Sequence, residues 1–286
     1  MRPGPFRYIP ASSLDEVLES LHEFGDEATL LAGGQSLIPL MNLRLARPEV
    51  LVDLNRVQGL DKIDLVEGEF RIGALVRAST LARSPAVAGL LPALSRAAAF
   101  IGHGQIRNRT TIGGNISHAD PSSELPGVLA ALEGSVVLRS SRGERIVGWS
   151  DFIVSTFTNS READEVVVDV RFPARPGWSF TYDEVAPRQG DYPLAGICAG
   201  LRIEEGLVRG MRLVAVGVSD RPFVLEEVSR AAEGGVINSG MIAELGALAR
   251  EEVTANDDEH ASSEYRSWLV GTLVCRTLQK LIMEQP

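Results

Sequence analysis

The feature that most constrains this chain is a pair of glycine doublets, each set among polar residues between apolar runs. Gly33-Gly34 lies in Leu30-Leu-Ala-Gly-Gly-Gln-Ser-Leu-Ile38, and Gly113-Gly114 lies in Arg109-Thr-Thr-Ile-Gly-Gly-Asn-Ile-Ser-His-Ala-Asp-Pro-Ser-Ser-Glu-Leu-Pro126. Without a Cβ the backbone can take φ > 0 and peptide N–H groups can converge on an anion. The first doublet reads as strand, tight turn and helix start. The second adds the side-chain amide of Asn115 and the hydroxyls of Ser117, Ser122 and Ser123, then leads into the apolar run Leu125 to Leu132, which reads as a helix. Either doublet alone is equally an ordinary turn. Two of them, with these flanks, suggest one diphosphate held from two sides.

Composition narrows the ligand and the setting. With 286 residues, 44% apolar and 23% charged, the chain has room for two domains with their own cores. A net charge of -10 argues against nucleic acid, because neutralising phosphates takes clustered Lys and Arg. Arg96, Arg107 and Arg109 form only a small basic set, either solvated surface or a contact with a phosphate or partner. The segment Met1 to Pro10 has no signal-peptide core and no apolar run approaches about 18 residues, so a cytoplasmic protein without a transmembrane segment is expected. Cys198 and Cys275 are too far apart in sequence to frame a disulfide scaffold or an all-cysteine metal site. Any redox metal is therefore expected on another polypeptide. Neither His103 nor His118 has a second ligand at metal spacing. His118, Asp120 and Ser117 or Ser122 share the letters of a catalytic triad, but neighbours in one turn do not line up as nucleophile, base and orienter. No catalytic side chain is expected.

Along the chain, Leu14, Val17, Leu18 and Leu21 share one face of a helix capped by Ser12 or Ser13 and ended by Gly25. A strand Thr29 to Ala32, a short helix Ser36 to Asn42 and a strand Val50 to Leu54 make a βαβ unit. Asp53 follows the first doublet by about 20 residues, where a Rossmann motif puts its ribose acid. No G-x-G-x-x-G accompanies it, so Asp53 reads as a strand-end or turn acid. A hairpin turns at Glu67-Gly68, and helices are expected at Ser79 to Ser84 and Leu90 to Phe100. Ser135 to Arg139 pairs with Arg145 to Val147, and Glu165 to Phe172 is a strand. Pro173, Pro176 and Gly177 mark a boundary between domains 1–176, with subdomains about 1–55 and 56–176, and 177–286. The second domain reads as three antiparallel strands, Phe180 to Val185, Ile197 to Glu204 and Leu207 to Val218, then two helices, Met241 to Arg250 and Ser263 to Met283. Asn256-Asp-Asp-Glu259 reads as a solvated loop.

Ala32-Gly-Gly-Gln-Ser36 and Thr111-Ile-Gly-Gly-Asn115 resemble the two pyrophosphate-binding loops of the FAD-binding medium subunit of molybdenum hydroxylases. That is the family of carbon monoxide dehydrogenase medium chains and of the xanthine dehydrogenase flavin domain, and the resemblance covers nearly the whole chain. It implies an α+β fold: a two-subdomain FAD-binding domain of the PCMH/vanillyl-alcohol-oxidase type, then a small α+β C-terminal domain. FAD would lie extended between the subdomains, with Ala32, Gly33, Gly34, Gln35, Ser36 and Leu37 as one wall and Thr111, Ile112, Gly113, Gly114 and Asn115 as the other. Family members often carry His or Asn where Gln35 stands, which leaves the backbone donors intact and the side-chain contact open. Glu124 falls where relatives place an acid on the adenosine ribose, since a carboxylate accepts from vicinal hydroxyls. It also reads as a capping acid for the helix starting at Leu125. Val167 matches an apolar position against the cofactor and is otherwise a buried strand residue. In Arg188-Gln-Gly-Asp-Tyr-Pro-Leu-Ala195, Tyr192 with Asp191 beside it fits the aromatic over the isoalloxazine, where it could gate an acceptor, or is a turn aromatic. His118 is a structural or ribityl-contacting residue.

The function that the resemblance implies is electron relay. A large subunit with a molybdopterin-type molybdenum cofactor oxidises substrate with water as oxygen source. An iron-sulfur small subunit passes electrons singly from its 2Fe-2S clusters, and FAD on this chain collects two for an external acceptor. Relatives commonly form a dimer of heterotrimers. Two other readings stand beside it: a stand-alone flavin oxidoreductase acting on an alcohol or sugar, and a non-redox module whose loops hold another diphosphate. The substrate is chosen by the molybdenum subunit, and this sequence names neither it nor the acceptor.

Overall fold

The computed structural model describes residues 2–284; Met1, Gln285 and Pro286, at the outer ends of the two expected domains, lie outside it. A small parallel sheet runs in the order Arg7–Pro10, Val50–Asp53, Ala28–Leu31. The expected βαβ unit thus gains a neighbour strand, too short and too exposed to show an alternating pattern. The helix Leu14–Phe24 packs Val17 and Leu21 beneath this sheet, and Ser13 caps it by accepting from the Glu16 amide.

The second sheet has five antiparallel strands in the order Ile63–Val66, Glu69–Gly73, Val166–Pro173, Ser135–Ser140, Gly143–Gly148. Two hairpins flank one late-coming central strand. Between them the chain is helical; the helix expected over Leu90 to Phe100 spans Pro92–Phe100, and a further helix that was not expected, Pro85–Leu90, precedes it. Leu91 breaks the run at φ -133 and ψ 62, because the residue before a proline is pushed out of the helical region. Helix Glu124–Ala131 is buried along its whole length, as a helix wedged between two sheets must be.

The C-terminal sheet has four antiparallel strands rather than the expected three: Trp178–Val185, Ala195–Glu204, Leu207–Val216 and Phe223–Val224. The fourth is two residues long, too short for any periodicity. A helix Glu226–Ala232 also precedes the two expected ones, which span Ser239–Glu252 and Ser263–Met283. Both faces of this sheet are covered. Phe180, Tyr182, Cys198, Val214 and Val216 join the large core that contains Leu94, Leu125 and Leu129. Ile197, Leu201 and Leu213 pack in a separate core with Leu245, Leu273 and Leu278. Burial on two faces explains why Ala195 to Leu201 carries no polar alternation. The acidic loop Asn256 to Glu259 has a structural duty as well as exposure: Asp258 pairs with Arg266, which is 4% exposed and donates to Leu194 O at 2.6 Å.

Candidate functional site

Both glycine doublets face one cleft of about 540 Å³, and the loop Gly190 to Tyr192 from the C-terminal sheet closes one side of it. Of the expected site residues, Ala32, Gly33, Gly34, Gln35, Ser36, Leu37, Thr111, Gly113, Gly114, Asn115, Glu124, Val167, Asp191 and Tyr192 all line the cleft. Ile112 does not. Its side chain is fully buried in the large core and its amide donates to Val76 O at 3.0 Å. Ser117 and Ser123 line the cleft, while Ser122 is turned into the Asp120 loop, its amide donating to Asp120 Oδ1.

The two walls are built differently. In the first, Gly34 takes φ 74 and sends the chain into helix Leu37–Asn42, whose N-terminal residue Ser36 makes no side-chain cap. The amides of Gly33, Gly34, Gln35, Ser36 and Leu37 have no acceptor among the described residues. They remain available to an anion. Gly33 keeps its own place for a second reason: a Cβ there would run into the carbonyl of Arg109 on the opposite wall.

In the second wall, neither Gly113 nor Gly114 uses the left-handed region, contrary to the turn expected there. Both lie in the first turn of helix Ile112–His118, and their amides are already engaged. Gly113 N donates to Ala74 O at 3.0 Å, and Thr111 caps the helix by accepting from Gly114 N at 3.1 Å. Gly113 is required by packing, since a Cβ would lie 2.5 Å from Ala74 Cβ. What this wall offers a ligand is side chains. Asn115 donates to Ser123 Oγ at 3.3 Å and leaves its own Oδ1, a buried acceptor, without a partner.

A polar staple sets the gap between the walls. Arg77 donates to Arg109 O on one side and to Asn55 Oδ1 at 2.5 Å on the other, and Asn55 Nδ2 donates to Ala32 O at 2.9 Å. Asp53, the residue at Rossmann spacing, belongs under this staple and not in the cleft. It accepts from the Tyr8 hydroxyl and the Asn55 amide. Burial opposes its charge, but these bonds hold its carboxyl below the ordinary value.

Glu124 sits in the first turn of helix Glu124–Ala131, where an acid suits the helix start, yet it is 4% exposed. Burial first, then the charge of Glu184, push its carboxyl well above the usual range. Tyr192 stands at the rim, 58% exposed. Gly190, at φ 88, presses against Gly102 and His103, where a Cβ would lie 2.7 Å from His103 Nδ1. His103 thus supports the loop from outside. His118 lines the cleft with its ring 5.0 Å from that of Phe157, and burial, opposed by the charge of Asp120, lowers its pKa from the ordinary histidine value.

Sequence reasoning missed Arg161, Asn159 and Ile101, which also line the cleft. Arg161 donates to the carbonyls of Glu162 and Glu165, and Asn159 Nδ2 donates to Ser117 O at 2.6 Å. A cation inside a chain of net charge -10 is a signal only once the fold has carried it to the cleft. The residues fit a flavin dinucleotide. Free amides suit the diphosphate, an orphaned amide oxygen and hydroxyls suit the polar linker, and Leu54, Ile101 and Val167 suit a planar ring.

A wall of free helix-start amides facing a wall of polar side chains defines a nucleotide-binding class of protein, and comparison places the chain within it. Residues 4–175 match the family described as the FAD binding domain in molybdopterin dehydrogenase, and residues 180–281 match the CO dehydrogenase flavoprotein C-terminal domain. The chain is 38% identical over 284 residues to the 6-hydroxypseudooxynicotine dehydrogenase complex subunit alpha of Paenarthrobacter nicotinovorans, covering 99% of this chain and 96% of that one. Quinoline 2-oxidoreductase from Pseudomonas putida 86 superposes with a TM-score of 0.94 at 33% identity over 99% of each chain. Carbon monoxide dehydrogenase from Hydrogenophaga pseudoflava does so with 0.94 at 32%, again over 99% of each. The chain belongs to the family of FAD-binding medium subunits of molybdenum hydroxylases. It is a flavoprotein subunit of a multi-subunit oxidoreductase, which sets aside the stand-alone oxidoreductase and the non-redox module. No helix among the described residues is long and apolar enough to cross a membrane.

Proposed function

We propose that the cleft holds FAD with its diphosphate on the amides of Gly33 to Leu37 and its remaining polar groups toward Asn115, Ser117 and Glu124. The observation that carries this reading is the run of unpaired amides on a wall held by the Arg77 staple at fixed distance from the other. Bound there, FAD supplies the exchange between single-electron donors and a two-electron acceptor. The chain's own part is to bind it, orient it and limit its contact with water. Ala32 to Leu37 grip the diphosphate, Thr111 and Gly113 to Asn115 form the facing wall with Asn115 as its polar contact, Val167 packs on the cofactor, and Tyr192 with Asp191 covers the face that an external acceptor approaches. Electrons arrive from an iron-sulfur small subunit served by a molybdenum large subunit, in a cytoplasmic dimer of heterotrimers. The division of labour follows the boundary near residue 176, the second domain contributing the Tyr192 loop.

The test is to isolate the chain from its native cell and record the visible spectrum and metal content of what accompanies it. Flavin with co-purifying iron and molybdenum is the expected result, and a protein that stays colourless after FAD is added back overturns it. Gly114→Asp tests the gap between the walls, because the added Cβ would lie 3.6 Å from Ala32 Cβ on the facing wall and 2.8 Å from Thr111 Oγ1. A carboxylate forced beside a diphosphate should weaken FAD retention at least about a hundredfold. Equal flavin content in variant and wild type would remove the diphosphate from that gap.

A further inference from the structure

Glu124 differs in kind from the other groups lining the cleft. It is 4% exposed, reaches the cleft, and meets its own backbone amide but receives no hydrogen bond from another described residue. The charges that act on it share its sign. Asp120, from the loop ahead of the helix, is 9% exposed, and Glu184, from strand Trp178–Val185, is 7% exposed. Glu184 accepts from the Tyr182 hydroxyl at 2.8 Å, and burial pushes its own carboxyl up to about 7. Tyr192 is the other phenol at this corner. Of the cations beside Glu184, Arg276 is committed to Asp183 at 2.8 Å and to the backbone carbonyl of Glu184, and Arg96 to Tyr182 O at 3.1 Å. Two carboxyls from two domains are therefore buried, the charge of one acts on the other, and neither is ion-paired among the described residues, so the two keep a proton.

We propose that Glu124 meets its ligand as a neutral carboxylic acid, donating its O–H to an acceptor atom of the bound flavin nucleotide rather than accepting from ribose hydroxyls as a carboxylate. A protonated carboxyl carries one donor as well as acceptor capacity. It can lie against a carbonyl or phosphate oxygen that would repel a carboxylate. The inference rests on the reading of the cleft as the FAD site.

The experiment is FAD affinity of the full chain stripped of flavin, measured by quenching of flavin fluorescence between about pH 6 and pH 9, for wild type, Glu124→Gln and Glu124→Ala. Gln preserves both the shape and a donor, so it should bind within about twofold of wild type at the acid end and stay flat with pH. Wild type should weaken relative to Glu124→Gln as rising pH ionises Glu124, and Ala should lose about tenfold throughout. Glu184→Gln removes a neighbouring charge that helps hold the proton on Glu124, so the fall in affinity should move to lower pH, and a fall that moves to higher pH counts against the proposal. A Glu124→Gln variant about tenfold weaker than wild type at neutral pH, or wild-type affinity that rises with pH, overturns the neutral donor in favour of a carboxylate acceptor. Failure of wild type to bind FAD at any pH would instead overturn the cofactor reading beneath it. Gln, isosteric with the neutral acid, keeps the test independent of any folding defect in Ala.

Discussion

The wall from Ala32 to Leu37 turns its backbone toward the cleft, whereas the wall from Thr111 to Asn115 turns its backbone into the protein and leaves side chains for the ligand. The same two letters, Gly-Gly, serve opposite purposes in them. Gly34 supplies a left-handed residue that aims free amides outward, at φ 74. Gly113 supplies the absence of a Cβ, so that a helix can start against Ala74 and have its amides satisfied internally. The difference teaches that a glycine doublet marks close backbone approach, and that only the fate of its N–H groups tells whether a ligand or the protein is what approaches.

The comparison is open to direct attack. Gly113→Val should have the largest effect on the fold, costing about 2–3 kcal/mol because the atoms its side chain meets are Ala74 Cβ and backbone, which cannot swing away. Thermal denaturation of the flavin-free chain reads it, and an unchanged melting point with weakened FAD would make the second wall a ligand nest after all. Glu184→Gln probes the titrating corner that the amide wall lacks. The folded-state pKa of Glu184, about 7, lies above its unfolded value of 4.5, so the folded chain holds a proton that the unfolded chain releases. Wild-type stability therefore falls as pH rises between those values, and the Gln variant should gain on the order of 1–2 kcal/mol over wild type near pH 8 with the gain vanishing near pH 4. Urea midpoints at the two pH values check the sign. Thr111→Val removes the cap on Gly114 N and should cost about 1 kcal/mol of flavin-free stability. If FAD affinity fell more than stability, the Thr111 hydroxyl would be a ligand contact. The smallest effect belongs to Gln35→Ala. The Gln35 amide folds back on Gly33 O at 3.2 Å, so its loss should change FAD affinity by less than about twofold. A tenfold loss by titration would give that side chain a direct contact.

Much of the site was legible because it is local. The doublets, their polar flanks and the apolar runs around them all fall within short windows, and the resemblance carried Glu124, Val167 and Tyr192 to the same cleft. The break at Leu91 was legible too, had the residue before Pro92 been weighed and not only the proline's place in the first turn. Arg161 was not. Its position depends on carbonyls of Glu162 and Glu165 that face it only after the chain has turned, and no motif surrounds it. Ile112 was assigned to the cleft by belonging to a motif, although a residue one place from a lining glycine on a helix points elsewhere.

By itself the sequence determined where the chain must turn tightly, which segments carry helical or strand periodicity, and that no metal-binding set of cysteines is present. These depend on φ/ψ preferences and side-chain chemistry, which act over a few residues. Tertiary structure alone decided which amides remain free, that Asn55 and Arg77 hold the two walls together, and that Glu124 and Glu184 are both buried, with the charge of one acting on the other. Hydrogen-bond satisfaction and the protonation of a buried acid depend on which distant groups arrive at the same place, and a linear pattern does not contain that distance.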